Sequence, residues 1–308
     1  MTEADRPAKG RILVVGDVMT DVIVKPEGPI VHGSDRRAAI RSRPGGSGAN
    51  QAVWLGAMGA DVQFVARVGA ADVDQYQAYF NGFGVDARLS GDETLASGVL
   101  VTILSPDGER SFLTDRGANL GLCPADLRAE LLDNVDMLLV SGYTFFADGP
   151  RAAVMELFAA ARHRTMRISV DPASVGFLNE VGIDNFFAWT KGATTIFANE
   201  SEAQALSGSD DLDVQMAVLG KHYERVIVKR GQLGAAVGGA AGVVLDRPAP
   251  KVEAVDSTGA GDAFAAAFLA AELVGEGLEA CLLAGIAAGT EAVKRLGGQP
   301  VAKARGSV

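Results

Sequence analysis

The segment 256–262, Asp-Ser-Thr-Gly-Ala-Gly-Asp, holds the residues of this sequence best suited to chemistry. Gly259 and Gly261 let the backbone turn tightly with no side chain in the way. The Ala-rich stretch that follows reads as a helix beginning near Ala260. A helix start aims free N–H groups at whatever sits in the turn before it, so this one is an anion site by geometry and dipole together. Asp262 stands in the same place. A carboxylate there would repel a phosphate unless it had a task, and the natural task is to accept a proton from a hydroxyl that attacks the phosphate. The plain alternative is a first-turn acid favoured by the helix dipole. Spacing alone leaves the two readings level.

Other phosphate-handling patterns are absent. Gly220-Lys221 is followed by His222, so no Gly-x-x-x-x-Gly-Lys-Ser/Thr loop exists. The His-Arg-Asp and Asp-Phe-Gly pair of protein kinases is missing. Gly16-Asp17-Val18 follows the first strand-like run where a dinucleotide fold would place its glycine fingerprint.

The elements that must position Asp262 read as an alternation. Buried strands are expected at 11–16, 62–67, 136–140, 167–171, 194–198 and 226–229, and a strand-like run at 251–255 leads into the Gly-rich turn. Helices are expected at 49–58, 73–80, 125–132, 151–162, 201–206 and 212–223, then at 260–274 and 279–296. Apolar strands alternating with amphipathic helices predict a mostly parallel sheet covered on both faces. Two stretches break the rhythm. Residues 24–43 carry Pro26, Gly28, Pro29 and Gly33, and residues 97–115 alternate as strands around Ser105-Pro106-Asp107-Gly108. They are expected to form a small antiparallel sheet, either as surface hairpins or as a lid.

Composition narrows the function classes. The chain has 308 residues, 48% hydrophobic and 21% charged, the balance of a globular protein with a sizeable core. Its 28 Lys and Arg against 38 Asp and Glu give a net charge of −10, which argues against nucleic-acid and anionic-membrane binding. Cys123 and Cys281 are far apart, and His32, His163 and His222 lack metal-motif spacing, so disulfide frameworks and zinc chemistry are not expected. The polar first residues carry no signal-peptide pattern, and the apolar run 263–271 is too short to span a bilayer, which takes roughly 20 residues. A cytoplasmic location is expected.

Four further matches now bear on the reading. The 256–262 segment resembles the C-terminal signature of the ribokinase (PfkB) family of small-molecule kinases. Gly45-Gly46-Ser47-Gly48-Ala49-Asn50 resembles that family's N-terminal glycine-pair motif. Asn199-Glu200-Ser201-Glu202, Val228-Lys229-Arg230-Gly231 and Gly297-Gly298-Gln299-Pro300 resemble further family segments in the same order. The resemblance runs from about Arg11 to Pro300. It implies an α/β fold, ribokinase-like and three-layered α/β/α, with a mostly parallel central sheet and a small β-sheet lid. A single kinase domain over 1–308, with lid segments at 24–43 and 97–115, is the expected organisation.

The implied reaction moves the γ-phosphoryl of ATP to a hydroxymethyl group of a small sugar or sugar derivative. By resemblance Asp262 is the general base, and the N–H groups of Gly259, Ala260 and Gly261 form the anion hole. Glu202 would help hold Mg2+ through water, with Asn199 near the phosphates; the bland reading of this segment is an N-cap with first-turn acids. Gly231 would admit the nucleotide. Lys229 and Arg230 are either phosphate contacts or solvated charges. Asp256 and the backbone at Thr258 resemble a monovalent-cation loop, with Val301 where a hydroxyl is common, so K+ is an open expectation.

On the acceptor side, Asp21 is implied as the ligand of sugar hydroxyls, assisted by Asp17 and lined by Gly45, Gly46, Asn50, Tyr143 and Arg116. Met19, Ser47 and Tyr143 depart from the ribose-specific pattern. Arg110 and Arg116 would meet an acidic acceptor, an ATP phosphate or a surface acid. Competing readings are a nucleoside kinase, a 2-keto-3-deoxygluconate-type sugar-acid kinase and a non-catalytic relative. A homodimer paired through the lids is implied by resemblance.

Overall fold

A computed structural model describes residues 10–104, 110–295 and 297–300. The layering follows from the first strand, β1 (Arg11–Val15). Its Ile12 and Val14 belong to one fully buried cluster, and Leu13 and Val15 to another. Successive strand residues point to opposite faces, so a strand apolar at every position must be covered on both sides. The first cluster joins β1 to α1 (Ser47–Ala57), α2 (Val73–Gly82), α8 (Ala260–Leu273) and α9 (Leu278–Ala292). The second joins it to α3 (Asp148–His163), α4 (Val175–Val181), α5 (Ile183–Trp189), α6 (Glu200–Ser207) and α7 (Leu212–Leu219).

The large sheet runs β13-β12-β11-β10-β9-β8-β1-β4-β5. Its further strands are β4 (Asp61–Gly69), β5 (Asp86–Asp92), β8 (Met137–Ser141), β9 (Arg167–Asp171), β10 (Thr195–Asn199), β11 (Arg225–Lys229), β12 (Ala235–Gly239) and β13 (Gly242–Arg247). Pairing is parallel from β5 to β11, and Ile12 sits opposite both Val62 and Met137. Only β12 and β13 are antiparallel additions. The chain builds from β1 to β4 and β5 on one side and through β8 to β11 on the other. The strand order therefore reverses beside β1, where such sheets open a crevice at their carboxyl ends.

The small sheet has the order β3-β2-β6-β7, from β2 (Met19–Pro26), β3 (Ala38–Gly45), β6 (Gly98–Leu104) and β7 (Arg110–Asp115). Asp21 of β2 pairs in register with Arg43 of β3, and β2 runs parallel to β6, so this sheet is mixed and not antiparallel throughout as expected. The turn 105–108 and residue Val301 lie outside the described residues.

Several sequence expectations give way. Residues 125–132 form no α-helix, only a 3-10 turn at Ala129–Leu132. Asp126 accepts a hydrogen bond from the Cys123 N–H and pairs with Arg67, which holds the segment in a turn. Residues 251–255 pair with no strand: Pro248 and Pro250 lack N–H donors, and the Val255 and Asp256 N–H groups go instead to the Val293 carbonyl. Helix α7 ends at Leu219 and α9 at Ala292, both short of their expected ends. Strands β5, β12 and β13 and helices α4 and α5 were not anticipated. No helix among the described residues is long and apolar enough to cross a membrane.

Candidate active site

The carboxyl ends of the parallel strands deliver the site. Asp17 follows β1, Tyr143 follows β8, Asp171 ends β9, Asn199 ends β10 and Lys229 ends β11. All five line a cleft of about 300 Å3, together with Asp21, Asn50, Arg116, Gly259, Gly261 and Asp262. Thus strands separated widely in sequence bring together most of the residues that the motifs singled out.

Asp262 lies in the first turn of α8, facing the start of α1. The Ser47 hydroxyl donates to its Oδ1 at 2.7 Å, the Gln51 amide to the same oxygen at 3.2 Å, and the Asn50 amide to Oδ2 at 2.9 Å. Burial, reinforced by the nearby Asp171 carboxylate, pushes the Asp262 carboxyl up to about 7, against the Ser47 and Asn50 hydrogen bonds and Lys229, which favour its charge. A group poised there can take and return a proton near neutral pH. Gly259 is the N-cap of α8 with φ 71°, and a Cβ on it would fall 2.2 Å from the Gly298 Cα. Only glycine allows that turn.

Lys229 is not a solvated charge. Its ammonium donates to Asp171 Oδ2 at 2.7 Å beside the α8 start, 3.0 Å from where a Cβ on Gly261 would lie. Burial opposes its charge, but the Asp171 and Glu202 carboxylates raise its pKa above the ordinary value. Arg230 turns the other way and pairs with Asp246.

Asn199 and Glu202 form a capping box at the start of α6: Glu202 N–H donates to Asn199 Oδ1 at 2.9 Å, and Asn199 N–H to Glu202 Oε2 at 2.8 Å. The bland reading of the motif is therefore present. Glu202 nevertheless lines the cleft, and its Oε1 has no hydrogen-bond partner among the described residues. Burial, with Asp171 close by, pushes this carboxyl up to about 7. A donor set with a free carboxylate oxygen suits a hydrated Mg2+ held through water.

Across the cleft, Asp17 Oδ1 accepts from Gly48 N–H and from the Ser141 hydroxyl, both at 3.2 Å. Asp21 is buried, and neither its Oδ1 nor the Asn50 Oδ1 has a hydrogen-bond partner among the described residues. Burial raises the Asp21 carboxyl to about 6, with Arg43 opposing. Gly45 lies behind Asp21: a Cβ there would sit 2.3 Å from the carboxylate carbon. The Arg116 guanidinium stacks 4.8 Å over the Tyr143 ring, which packs edge-on against Phe146 and Phe177.

A second, more apolar cleft of about 470 Å3 adjoins the first along α8. Gly231, Ala249, Val252, Phe264, Ile286 and Val293 line it, and it shares Asn199, Lys229 and Gly261 with the first. Asp256 lies in neither cleft; it accepts from Thr258 N–H and Gly297 N–H, both at 2.9 Å. The Arg110 side chain lies outside the described part of the molecule.

Ser47, Gln51 and Asp171 escaped the sequence reading as partners of Asp262. A signal existed for each. Ser47 and Gln51 are one helical turn apart after the glycine pair, hence on one face. Asp171 is the last residue of a buried parallel strand, where ligands gather.

The profile of the pfkB family carbohydrate kinases matches residues 9–305. Ribokinase of Bacillus subtilis (strain 168) is 30% identical over 282 residues, 88% of each chain. The bifunctional protein HldE of Shewanella sp. (strain MR-4) is 29% identical over 96% of this chain, which spans only 62% of HldE. A putative ribokinase II from E. coli, solved in complex with ATP and Mg2+, superposes with a TM-score of 0.83 at 22% identity over 94% of both chains. Fold, motif order and family profile agree, and the chain belongs to the pfkB family of carbohydrate kinases.

Proposed function

We propose that this kinase transfers the γ-phosphoryl of ATP to a hydroxymethyl group of a small sugar or sugar derivative. The carrying observation is the Asp262 carboxylate, fixed by Ser47, Asn50 and Gln51 in the first turn of α8, lining the polar cleft next to Gly261, which both clefts share. The acceptor oxygen attacks the γ-phosphorus while its proton passes to Asp262. The bond from phosphorus to the β–γ bridging oxygen breaks, and ADP leaves. The N–H groups of Gly259, Ala260 and Gly261 meet the charge on the transferring group, with Lys229 beside them. The apolar cleft takes the adenine side, which Gly231 leaves open. Glu202 would hold Mg2+ through water, with Asn199 close by; the ion would neutralise phosphate charge.

The unpartnered Oδ1 atoms of Asp21 and Asn50 suit a polyol, whose hydroxyls are the donors these oxygens lack. Asp17, Gly46 and Tyr143 complete that wall. A sugar-acid acceptor is the second reading. It is favoured by Arg116, whose guanidinium faces the cleft and makes no ion pair among the described residues. The two unbonded cysteines suit a reducing cytoplasm. The small sheet exposes Ile40 and Leu113 on one face, apolar surface that supports the lid-paired homodimer; sedimentation would check it.

The test is ADP release from ATP and Mg2+ by purified protein across neutral sugars, sugar acids and nucleosides. Turnover with neutral sugars supports the first reading and with sugar acids the second. Turnover only with nucleosides moves the assignment within the family, and none with any class overturns the proposal.

A further inference from the structure

The resemblance leaves a monovalent cation at the loop opened by Asp256 an open expectation, and the described residues already put a fixed positive charge there. Asp256 is 4% exposed, and each of its oxygens already accepts a backbone N–H, from Thr258 and from Gly297. The positive charge beside it comes from the protein. Arg43 Nη2 lies 3.8 Å from Asp256 Oδ2. The guanidinium presses on Gly297 so closely that a Cβ there would fall 1.8 Å from Nη1. Among the described residues its Nε is buried with no hydrogen-bond partner, and no acid other than Asp256 lies within ion-pairing distance of the group.

Arg43 does not belong to this loop. It stands on β3 of the small sheet, in register with Asp21 of β2, and its charge favours the ionised form of Asp21. One cation therefore serves two buried carboxylates, one on the acceptor wall and one at the root of the turn that carries Gly259 and Gly261. Without it both would stay in low dielectric with less compensation, and burying a carboxylate with less compensation is costly.

We propose that Arg43 is the built-in counter-cation of the 256–261 loop, supplying from the small sheet the charge that a dissolved monovalent ion would otherwise bring. It is a positioning residue: it acts on the anion-binding turn through Asp256. The inference rests on the kinase reading only for its activity arm.

The experiment compares the full-length protein with Arg43→Ala, Arg43→Gln and Arg43→Lys, in KCl and in tetramethylammonium chloride at equal ionic strength. Two quantities are read, ADP release with whichever acceptor the screen of neutral sugars, sugar acids and nucleosides shows to be turned over, and the melting temperature without nucleotide. The wild type is expected to differ less than about twofold in turnover between the salts and to melt at the same temperature. Arg43→Ala and Arg43→Gln are expected to lose at least about tenfold in kcat. Both should regain part of it, and melt higher, in K+ or in millimolar guanidinium, which binds the vacated place by mass action. Arg43→Lys should fall between.

A wild type that needs K+ for turnover or gains melting temperature from it overturns the proposal. So does a loss in the Arg43 variants that no cation restores, or no loss at all. If no acceptor is turned over under any salt, the kinase reading fails, and the melting temperatures alone still decide the role of Arg43.

Discussion

The Ser47 hydroxyl donates a 2.7 Å hydrogen bond to Asp262 Oδ1, tying the first residue of α1 to the first turn of α8 across 215 positions of chain. Two helix starts thus face each other over one carboxylate. The hydrogen bond favours the ionised carboxylate and so holds its pKa below where burial alone would put it. Ser47→Ala removes that restraint. The acid limb of kcat/KM should move to higher pH, with turnover reduced roughly tenfold at pH 7 and largely recovered by pH 9, since hydrogen bonds to charged groups are worth about 1.5–3 kcal/mol. A pH profile that drops uniformly without shifting would contradict this.

Asp262→Asn should lower kcat by ~10²–10⁴, the usual worth of a general base, while KM for ATP changes little. It has a second, independent signature. The folded-state pKa of about 7 lies above the ordinary 3.8, so the stability linked to this proton is present in full below about pH 4 and is lost as pH rises through 7. Asn carries no such proton. The variant should therefore lose less melting temperature than the wild type between pH 5 and pH 8. A variant with normal turnover would remove Asp262 from the chemistry.

What the sequence disclosed and what it withheld divide along physical lines. The 256–262 segment was legible because its glycines, helix start and acid act within one turn of chain. The buried strands were legible because an apolar run covered on both faces has few other uses. The anchors Ser47, Gln51 and Asp171 were not, because each meets Asp262 only after distant elements pack. Lys229 reads either way in sequence, because only the folded chain sets it 2.7 Å from Asp171. Residues 125–132 misled for the same reason in reverse: their helical pattern yields to the pairing of Asp126 with Arg67, which local propensity does not contain.

Asp171→Asn offers a test of the electrostatics. Asp171 raises the Asp262 pKa and at the same time pairs with Lys229, whose charge lowers it. Substitution removes a like charge and frees an opposite one, so both changes act in one direction. The acid limb should move down by on the order of one pH unit. The maximal rate should also fall, because the unpaired Lys229 ammonium is no longer held beside Gly261. An acid limb that stays in place or moves up would show that Asp171 does not set the proton affinity of Asp262.

Asp21→Asn separates acceptor binding from phosphoryl transfer. The Asp21 carboxylate is buried, with an unpartnered Oδ1 and a pKa raised to about 6, mainly by burial. Asn keeps the shape but replaces one accepting oxygen with a donor, so at least one substrate hydroxyl loses its partner. A hydrogen bond to a charged group is worth about 1.5–3 kcal/mol, which sets the expected rise in acceptor KM at roughly ten- to a hundredfold, with KM for ATP unchanged. The fold should not suffer with the binding. Because the raised pKa means that ionising Asp21 costs stability as pH passes 6, removing the charge should leave the melting temperature at pH 8 equal or higher. A variant that melts lower at pH 8 and binds acceptor normally would make Asp21 a structural acid, satisfied by Arg43 in its register partner strand, rather than the group that grips the acceptor.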